Sequence, residues 1–115
     1  MLNFWASWCG PCRAEAPGLL NAYRLYQPKG VRFLGIDMRD DLGQARIYRD
    51  DFKLPYPSVY DQAARLAYAY RVDAPPSSVF INGKGVVVDQ VTGGLAEQGY
   101  RSIIESRLLA AATRG

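Results

Sequence analysis

The sequence predicts an α/β sandwich built on a mixed β-sheet, and three observations support this. The chain has 115 residues, of which 49% are hydrophobic, which is the size of one compact domain with a single core. Strand-like and helix-like patterns alternate through the first half, which is typical of parallel strands joined by helices. A hairpin pattern followed by a helix ends the chain and adds antiparallel strands to the sheet.

The first half of the chain contains two strand–helix pairs. The predicted elements are a strand at Leu2–Trp5, a helix after Cys12, a strand at Val31–Asp37 and a helix at Leu42–Phe52. Pro28 and Gly30 are predicted to end the first helix. The first strand is short, apolar and aromatic, which is typical of a buried parallel strand. Pro17 lacks an amide donor and is expected to kink the first helix. The second helix is predicted to face inward through Ala45, Ile47, Tyr48 and Phe52.

Prolines and glycines interrupt the second half. Two prolines between Leu54 and Asp61 leave room for only a short extended segment. The predicted elements after it are a short helix at Ala63–Tyr70, a hairpin of Val79–Ile81 and Val86–Val91, and a helix over about Glu97–Ala112.

Charge and composition exclude several classes of function. Fourteen Lys and Arg against eleven Asp and Glu give a net charge of +3, and the cations are scattered from Arg13 to Arg114. A nucleic-acid groove concentrates such charge, so we expect no nucleic-acid partner. The absence of histidine excludes Ser-His-Asp and Cys-His hydrolases and His-ligated metal sites. The longest apolar runs are far shorter than the roughly 20 residues of a membrane-spanning helix.

The two cysteines form the sequence Cys9-Gly10-Pro11-Cys12. Two thiols are too few for a zinc site, so we expect no metal. A purely structural disulfide in so small a ring would remove little entropy from the unfolded chain. The pair suits thiol–disulfide exchange, in which one thiolate attacks a disulfide and the second resolves the mixed species. No cofactor beyond this redox-active disulfide is expected.

The segment from Asn3 to Arg13, Asn-Phe-Trp-Ala-Ser-Trp-Cys-Gly-Pro-Cys-Arg, resembles the active-site segment of thioredoxin-fold proteins. It is most similar to the TlpA/ResA-like group of extracytoplasmic thiol–disulfide oxidoreductases. Glu15 and Pro17 follow at the spacing of that group, and Pro76 matches its cis-proline loop. The segment 38–75 is similar to the insertion of the TlpA and redoxin branches.

This resemblance implies a fold and an arrangement of domains. The fold is a thioredoxin-like three-layer α/β/α sandwich with a mixed central sheet of about four strands. The whole chain, 1–115, would form one thioredoxin-like domain.

The expected position of the cysteines at a helix N-terminus predicts roles for them and for the residues around them. Cys9 would lie at a helix N-terminus, which lowers its pKa from about 8.5 toward 7 or below and makes it the attacking thiolate. Cys12, one turn inside, is expected to be more buried and to act as the resolving thiol. Gly10 would let the loop approach closely, and Pro11 pre-sets φ for the first turn. Trp8 is expected beside the substrate groove; the alternative is an ordinary core aromatic.

Resolution requires Cys12 to lose a proton, and a nearby carboxylate would accept it. Thioredoxins have a buried Asp in the strand before the motif, but this chain has Asn3 there. Glu15 lies three residues after Cys12 on the same helix face and matches the Glu of the ResA-like group. The alternative is that Glu15 is only a favourable charge near a helix start. Asp37 is a weaker candidate and is expected to cap a turn.

The resemblance also implies a substrate-binding loop at Pro75 and Pro76. A cis bond before Pro76 would place this residue against the disulfide and expose a backbone edge for an extended substrate. Pro75 occupies the position that normally pairs with the substrate chain, and it has no N–H, so one main-chain hydrogen bond is lost. The alternative is a loop shifted by one residue, with the cis bond before Pro75.

Met1 falls almost inside the first strand, so the N-terminal strand and the signal or anchor of the family are expected to be missing. The strand Val31–Asp37 would then be an open edge, and we expect a homodimer through it or marginal stability. An extracytoplasmic location is implied by the resemblance alone.

The expected function is thiol–disulfide exchange with protein cysteines and a redox partner, in cell-envelope disulfide folding or cytochrome c maturation. One alternative is a peroxiredoxin-like peroxidase, which Ala6 disfavours because peroxidatic sites usually have Thr at that position. The other is a non-catalytic binding module, for which Cys9→Ser would retain full function.

Overall fold

The computed structural model describes residues 1–109, which form five strands and four helices with two short helical extensions. The strands are β1 (Leu2–Trp5), β2 (Leu34–Met38), β3 (Ser58–Asp61), β4 (Ser77–Ile81) and β5 (Val87–Thr92). The helices are α1 (Gly10–Tyr26), α2 (Leu42–Phe52), α3 (Arg65–Ala69) and α4 (Glu97–Ile103). A 3₁₀ turn, Gln27–Lys29, extends α1, and a π-helical segment, Ile104–Leu109, extends α4. Positions 110–112 of the predicted last helix lie outside the described residues.

The sheet is mixed, as predicted, with the strand order β3-β2-β1-β4-β5. β1 pairs with β2 and β2 with β3 in parallel, whereas β4 is antiparallel to both β1 and β5. The sheet has five strands rather than about four, because Ser58–Asp61 pairs with β2 instead of forming an isolated extended segment.

The prediction that Val31–Asp37 forms an open edge is wrong. β2 begins at Leu34 and has a parallel strand on each side, so the edges of the sheet are β3 and β5. The segment directly after Pro57 forms the additional neighbour, with Ser58 opposite Gly35. Homodimerisation stays a prediction, and this strand has no free edge for it.

Helices cover both faces of the sheet and enclose two main cores. On one face, α1 and α4 pack on the sheet through Leu19, Ala22, Tyr26, Phe80, Tyr100 and Ile104. On the other face, α3 covers Leu2, Phe4, Ile36, Met38 and Val79. A third, smaller cluster joins β1, α1 and α2 around the cysteines through Trp5, Ala6, Cys9, Cys12, Ala45 and Tyr48. The cysteines are therefore packed against a rigid part of the structure.

The helix α2 has the predicted bounds but only part of the predicted inward face. Ala45 and Tyr48 are buried, whereas Ile47 is 52% exposed. Ile47 lies two residues from Ala45, which places it on the far side of the helix. The helix α1 continues through Pro17 to Tyr26.

Gly35 allows β2 to lie close to the indole of Trp5. A Cβ at Gly35 would lie 2.9 Å from the Trp5 Nε1 and 2.8 Å from the Ser58 Oγ. Trp5 donates a hydrogen bond of 3.0 Å to that hydroxyl and stacks on Tyr48. These contacts fix the end of β1, from which the cysteine loop begins.

Candidate active site

A disulfide joins Cys9 and Cys12 at the start of α1, with Cα atoms 5.3 Å apart. Cys9 is the N-cap residue, and its Sγ accepts a hydrogen bond of 3.1 Å from the Cys12 amide. Pro11 lies in the first turn, where a missing amide donor has no cost. The Cys9 sulfur is therefore at the positive end of a 17-residue helix, where a thiolate is stabilised.

The two cysteines are almost equally buried in this disulfide form. Cys9 is 3% exposed and Cys12 is 2% exposed. Cys12 is the more buried of the pair, as expected, but the difference is too small to distinguish their roles. Both cysteines pack in the third cluster, and their exposed neighbours in the sequence are Trp8, Gly10, Pro11 and Arg13.

Trp8 is 59% exposed, so its alternative interpretation as a core aromatic is wrong. Its indole N–H donates a hydrogen bond of 2.8 Å to the carbonyl of Arg39, in the loop after β2. This bond holds a large apolar ring at the surface directly before Cys9.

No close contact within the protein explains why position 10 is a glycine. A Cβ at this position would meet no atom within 4 Å. The predicted steric reason for glycine here is therefore wrong, and the space above the first turn is open.

Glu15 is buried and fully hydrogen-bonded. The Asn3 amide donates to its Oε1 at 3.1 Å, and the Leu95 backbone N–H donates to its Oε2 at 3.1 Å. Burial raises the pKa of Glu15 above its usual 4.5, while these hydrogen bonds oppose the shift. Because the side chain points into the protein, it differs from an exposed charge that only complements the helix dipole.

The peptide bond between Pro75 and Pro76 is cis, so the cis residue is Pro76 rather than Pro75. Pro76 is buried and Pro75 is half-buried. Gly94 lies between this loop and Glu15, because a Cβ there would be 3.6 Å from the Glu15 Oε2 and 3.9 Å from the Pro76 Cγ. Glu15 and the proline loop thus meet at the same small residue.

Asp37 does not cap a turn, contrary to the expectation. Its side chain is 97% buried and faces Asp40, and neither oxygen makes a hydrogen bond of good geometry within residues 1–109. Burial, reinforced by the nearby Asp40 carboxylate, raises the pKa of Asp37 to about 8.

Asp40 is a functional candidate that the sequence analysis missed. Its carboxylate accepts hydrogen bonds from the Ser7 backbone N–H at 2.7 Å and the Ser7 hydroxyl at 2.6 Å. Although burial opposes it, the contact with Asp37 and the hydrogen bonds from Ser7 lower the pKa of Asp40. The signal in the sequence is its place just after β2, because the carboxyl ends of β1 and β2 meet at the same edge of the sheet.

In the described part of the chain, no three His, Cys, Asp or Glu side chains form a group able to hold a metal ion. Within the same residues, no helix combines the length and the apolar character of a membrane span.

The comparisons with known proteins agree with this geometry. The Redoxin family profile matches residues 1–107. Thiol-disulfide oxidoreductase ResA of Geobacillus thermodenitrificans is 30% identical over 105 residues, covering 91% of this chain and 60% of the relative. ResA of Bacillus subtilis is 31% identical over 96 residues, covering 84% of this chain and 54% of the relative. The chain thus spans little more than half the length of these curated relatives.

Solved structures give the same result at the level of the fold. A secreted disulfide oxidoreductase of Mycobacterium tuberculosis, homologous to DsbE of E. coli, matches with a TM-score of 0.82 and 26% identity. That match covers 91% of this chain and 78% of the other. StoA of Bacillus subtilis matches with a TM-score of 0.70 and 27% identity, covering 88% of this chain and 78% of the other. The thioredoxin-like α/β fold and the resemblance to ResA-like proteins are confirmed, and the chain belongs to the redoxin family.

Proposed function

We propose that this chain performs thiol–disulfide exchange with the cysteines of other proteins. The observation that supports this most directly is the Cys9–Cys12 disulfide at the N-cap of α1, with the Cys12 amide donating to the Cys9 Sγ. The same amide and the helix dipole would stabilise a thiolate on Cys9 after reduction.

The exchange proceeds in two balanced steps. In the reduced protein, the Cys9 thiolate attacks one sulfur of a partner disulfide, and the other partner sulfur leaves as a thiolate. The Cys12 thiolate then attacks the Cys9 Sγ, forming the Cys9–Cys12 disulfide and releasing the second partner sulfur as a thiolate. Two electrons pass to the partner, and the reverse sequence oxidises a partner dithiol.

Glu15 is proposed as the acceptor of the Cys12 proton. The residues lie three apart on α1, and Cys12 is too buried for solvent to take the proton readily. A carboxylate whose pKa is raised by burial is closer in basicity to a thiol and therefore a better proton acceptor for it. Asn3 and Leu95 hold its two oxygens in place.

The substrate surface is proposed to include Trp8, Gly10, Pro11 and the loop Pro75-Pro76. Trp8, Gly10 and Pro11 are exposed and directly adjoin the cysteines in the sequence. Pro75 has no amide to offer to an extended substrate, so the side chains around the site contribute more of the recognition.

We place this activity outside the cytoplasm, in cell-envelope disulfide folding or cytochrome c maturation. The similarity to ResA-like proteins supports this, as does the similarity to a mycobacterial oxidoreductase that is described as secreted. The direction of electron flow follows from the midpoint potential. A midpoint potential of about −270 mV would indicate a reductant, and a potential of about −120 mV would indicate an oxidant.

The test is insulin reduction by dithiothreitol, followed as turbidity, with wild type, Cys9→Ser and Cys12→Ser. We expect both variants to lose catalysis, since each lacks one sulfur of the exchange. Cys12→Ser should in addition accumulate a covalent mixed disulfide through Cys9, visible on a non-reducing gel. Full activity of Cys9→Ser in a binding or folding assay, with no turnover by wild type, would instead identify a non-catalytic binding module.

A further inference from the structure

We propose that a cleft between the loop after β2 and the segment before the cis-proline binds an acidic segment of the substrate polypeptide. The cleft has a volume of about 590 Å³ and is bordered by Arg39, Tyr68, Arg71 and Asp73. We call it the arginine cleft. This inference rests on the proposed function, because it names the chemistry of the protein that exchanges with Cys9.

Two contacts in the chain connect the arginine cleft with the cysteine motif and the cis-proline loop. The indole of Trp8, the residue before Cys9, is hydrogen-bonded to the backbone carbonyl of Arg39, which lines the cleft. Asp73, which also lines it, lies three residues before Pro76, in the segment that leads into the cis-proline loop. We therefore expect a polypeptide whose cysteine reaches Cys9 to extend over the cleft.

The charge of the cleft favours an anionic ligand. Arg39 and Arg71 are both exposed, and neither forms an ion pair within residues 1–109, where the ion pairs join other arginines to Glu97 and Asp89. Asp73 is the single acidic residue of the lining, so the cleft has an excess of one positive charge. Guanidinium groups bind carboxylates through paired hydrogen bonds, which makes Asp and Glu side chains the fitting ligands.

The backbone gives an independent reason to assign a role to these arginines. Arg39 has φ 49° and Arg71 has φ 57°, in the left-handed region that favours glycine. Ala64, at φ 55°, also lines the cleft, so three of the four non-glycine residues with positive φ in the described chain surround it. Two long cationic side chains stand where glycine would be less strained, and such strained residues cluster at functional sites.

Aromatic surface completes the site. Tyr68 is 86% exposed at the rim, and Trp8 is 59% exposed beside Arg39. Exposed rings next to arginines are the residues that most often dominate binding at protein interfaces. The rings would hold the peptide chain while the guanidinium groups select its acidic residues.

The test compares two synthetic peptides with the same disulfide, one flanked by Asp and Glu and the other by Asn and Gln. We expect wild type to reduce the acidic peptide with a kcat/KM about fivefold higher at low salt, as for one or two exposed ion pairs. The preference should fall below about twofold in ~0.5 M NaCl, because salt screens exposed charges.

Matched variants locate the preference. The double variant Arg39→Asn/Arg71→Asn should lose it, and asparagine tolerates the left-handed conformation at both positions. Asp73→Asn should increase the preference by removing the like charge. Arg24→Gln is the control, because Arg24 is an exposed arginine of α1 about 20 Å along the helix from Cys9, and it should leave the ratio unchanged.

The outcomes separate this inference from the proposed function. Equal kcat/KM for the two peptides with wild type, or an unchanged ratio in the double variant, would overturn the acidic specificity while leaving exchange intact. No reduction of either peptide by wild type would contradict the proposed function itself. If the double variant does not fold, the wild-type ratio and its salt dependence decide the question.

Discussion

Glu15 and Asp37 are two carboxylates with nearly equal burial and opposite surroundings. Glu15 is 6% exposed and accepts one hydrogen bond on each oxygen, from Asn3 and Leu95. Asp37 is 3% exposed, makes no hydrogen bond of good geometry in the described structure and faces a second carboxylate, Asp40. Burial is the largest cause of the raised pKa in both, and together with Asp40 it brings the pKa of Asp37 to about 8. The hydrogen bonds that Glu15 accepts oppose this shift, whereas Asp37 has no such donor in the described structure.

The two carboxylates, Glu15 and Asp37, are therefore expected to behave differently. A buried carboxylate with two fixed donors is held in one position and can accept a proton. A buried carboxylate without donors remains protonated or lowers the stability of the fold when it ionises. Three substitutions test this difference.

The largest effect is expected from Glu15→Gln. Without the proton acceptor, release of the mixed disulfide should slow about 100-fold, as for loss of a general base, while the first attack by Cys9 stays nearly unchanged. In wild type, the release rate should rise with pH through the pKa of Glu15, which lies above 4.5, and this rise should be absent in the variant. Rapid mixing with a fluorescent disulfide peptide measures both steps separately.

The control is Glu97→Gln, which makes the same chemical change at a less buried site, where Glu97 contacts Asn21 and Arg101. It should leave both rates unchanged. Normal release kinetics in Glu15→Gln would show that Glu15 has only a structural role.

The second effect concerns stability and is expected from Asp37→Asn. The pKa of Asp37 is raised in the folded protein, so between about pH 4 and pH 8 the folded state binds more protons than the unfolded state. Wild-type stability therefore falls as the pH rises through this window. The stability gain of the variant over wild type should therefore grow as the pH rises, be largest above pH 8 and be much smaller near pH 5.

Urea unfolding at several pH values measures this difference, with the exposed Asp50→Asn as the control. Insulin reduction by Asp37→Asn should remain within about threefold of wild type, because the residue is not assigned to proton transfer. Lower stability of the variant at high pH would contradict the unfavourable environment of an ionised Asp37 beside Asp40.

The smallest effect is expected from Asn3→Leu, which removes one donor from Glu15 and keeps the branched shape of the side chain. A hydrogen bond to a charged group favours ionisation, so its loss should raise the pKa of Glu15 further. The inflection in the release rate should then move to higher pH. An inflection that does not move would show that the Asn3 hydrogen bond does not contribute to the pKa, and the same change in a Glu15→Gln background should have no effect on the profile.

Local sequence signals predicted the elements around the cysteines well. The aromatic strand, the Cys-Gly-Pro-Cys start of α1 and the bounds of α2 depend on patterns within one segment. The strand β3 was expected only as an extended segment, because its exposed Val59 and Tyr60 give no buried pattern and its pairing with β2 is a long-range contact.

In the site, too, only features that depend on neighbouring residues could be predicted from the sequence. The positions of Cys9 and Glu15 on α1 follow from their spacing, but the burial of Asp37 and the contact of Asp40 with Ser7 depend on how β2 lies beside β1. A separation of 33 residues between Ser7 and Asp40 leaves no local pattern to read. The sequence therefore predicted the sulfur chemistry and named Asp37 as a weaker candidate, but it did not predict Asp40 or the contact between these two carboxylates.

The open space above Gly10 has a practical consequence for protein engineering. A library of side chains at this position, between the two sulfurs, can be introduced without repacking the interior, since a Cβ there touches nothing within 4 Å. Position 10 is thus accessible to redesign, and an oxidoreductase with a different reduction potential can be sought through a single substitution.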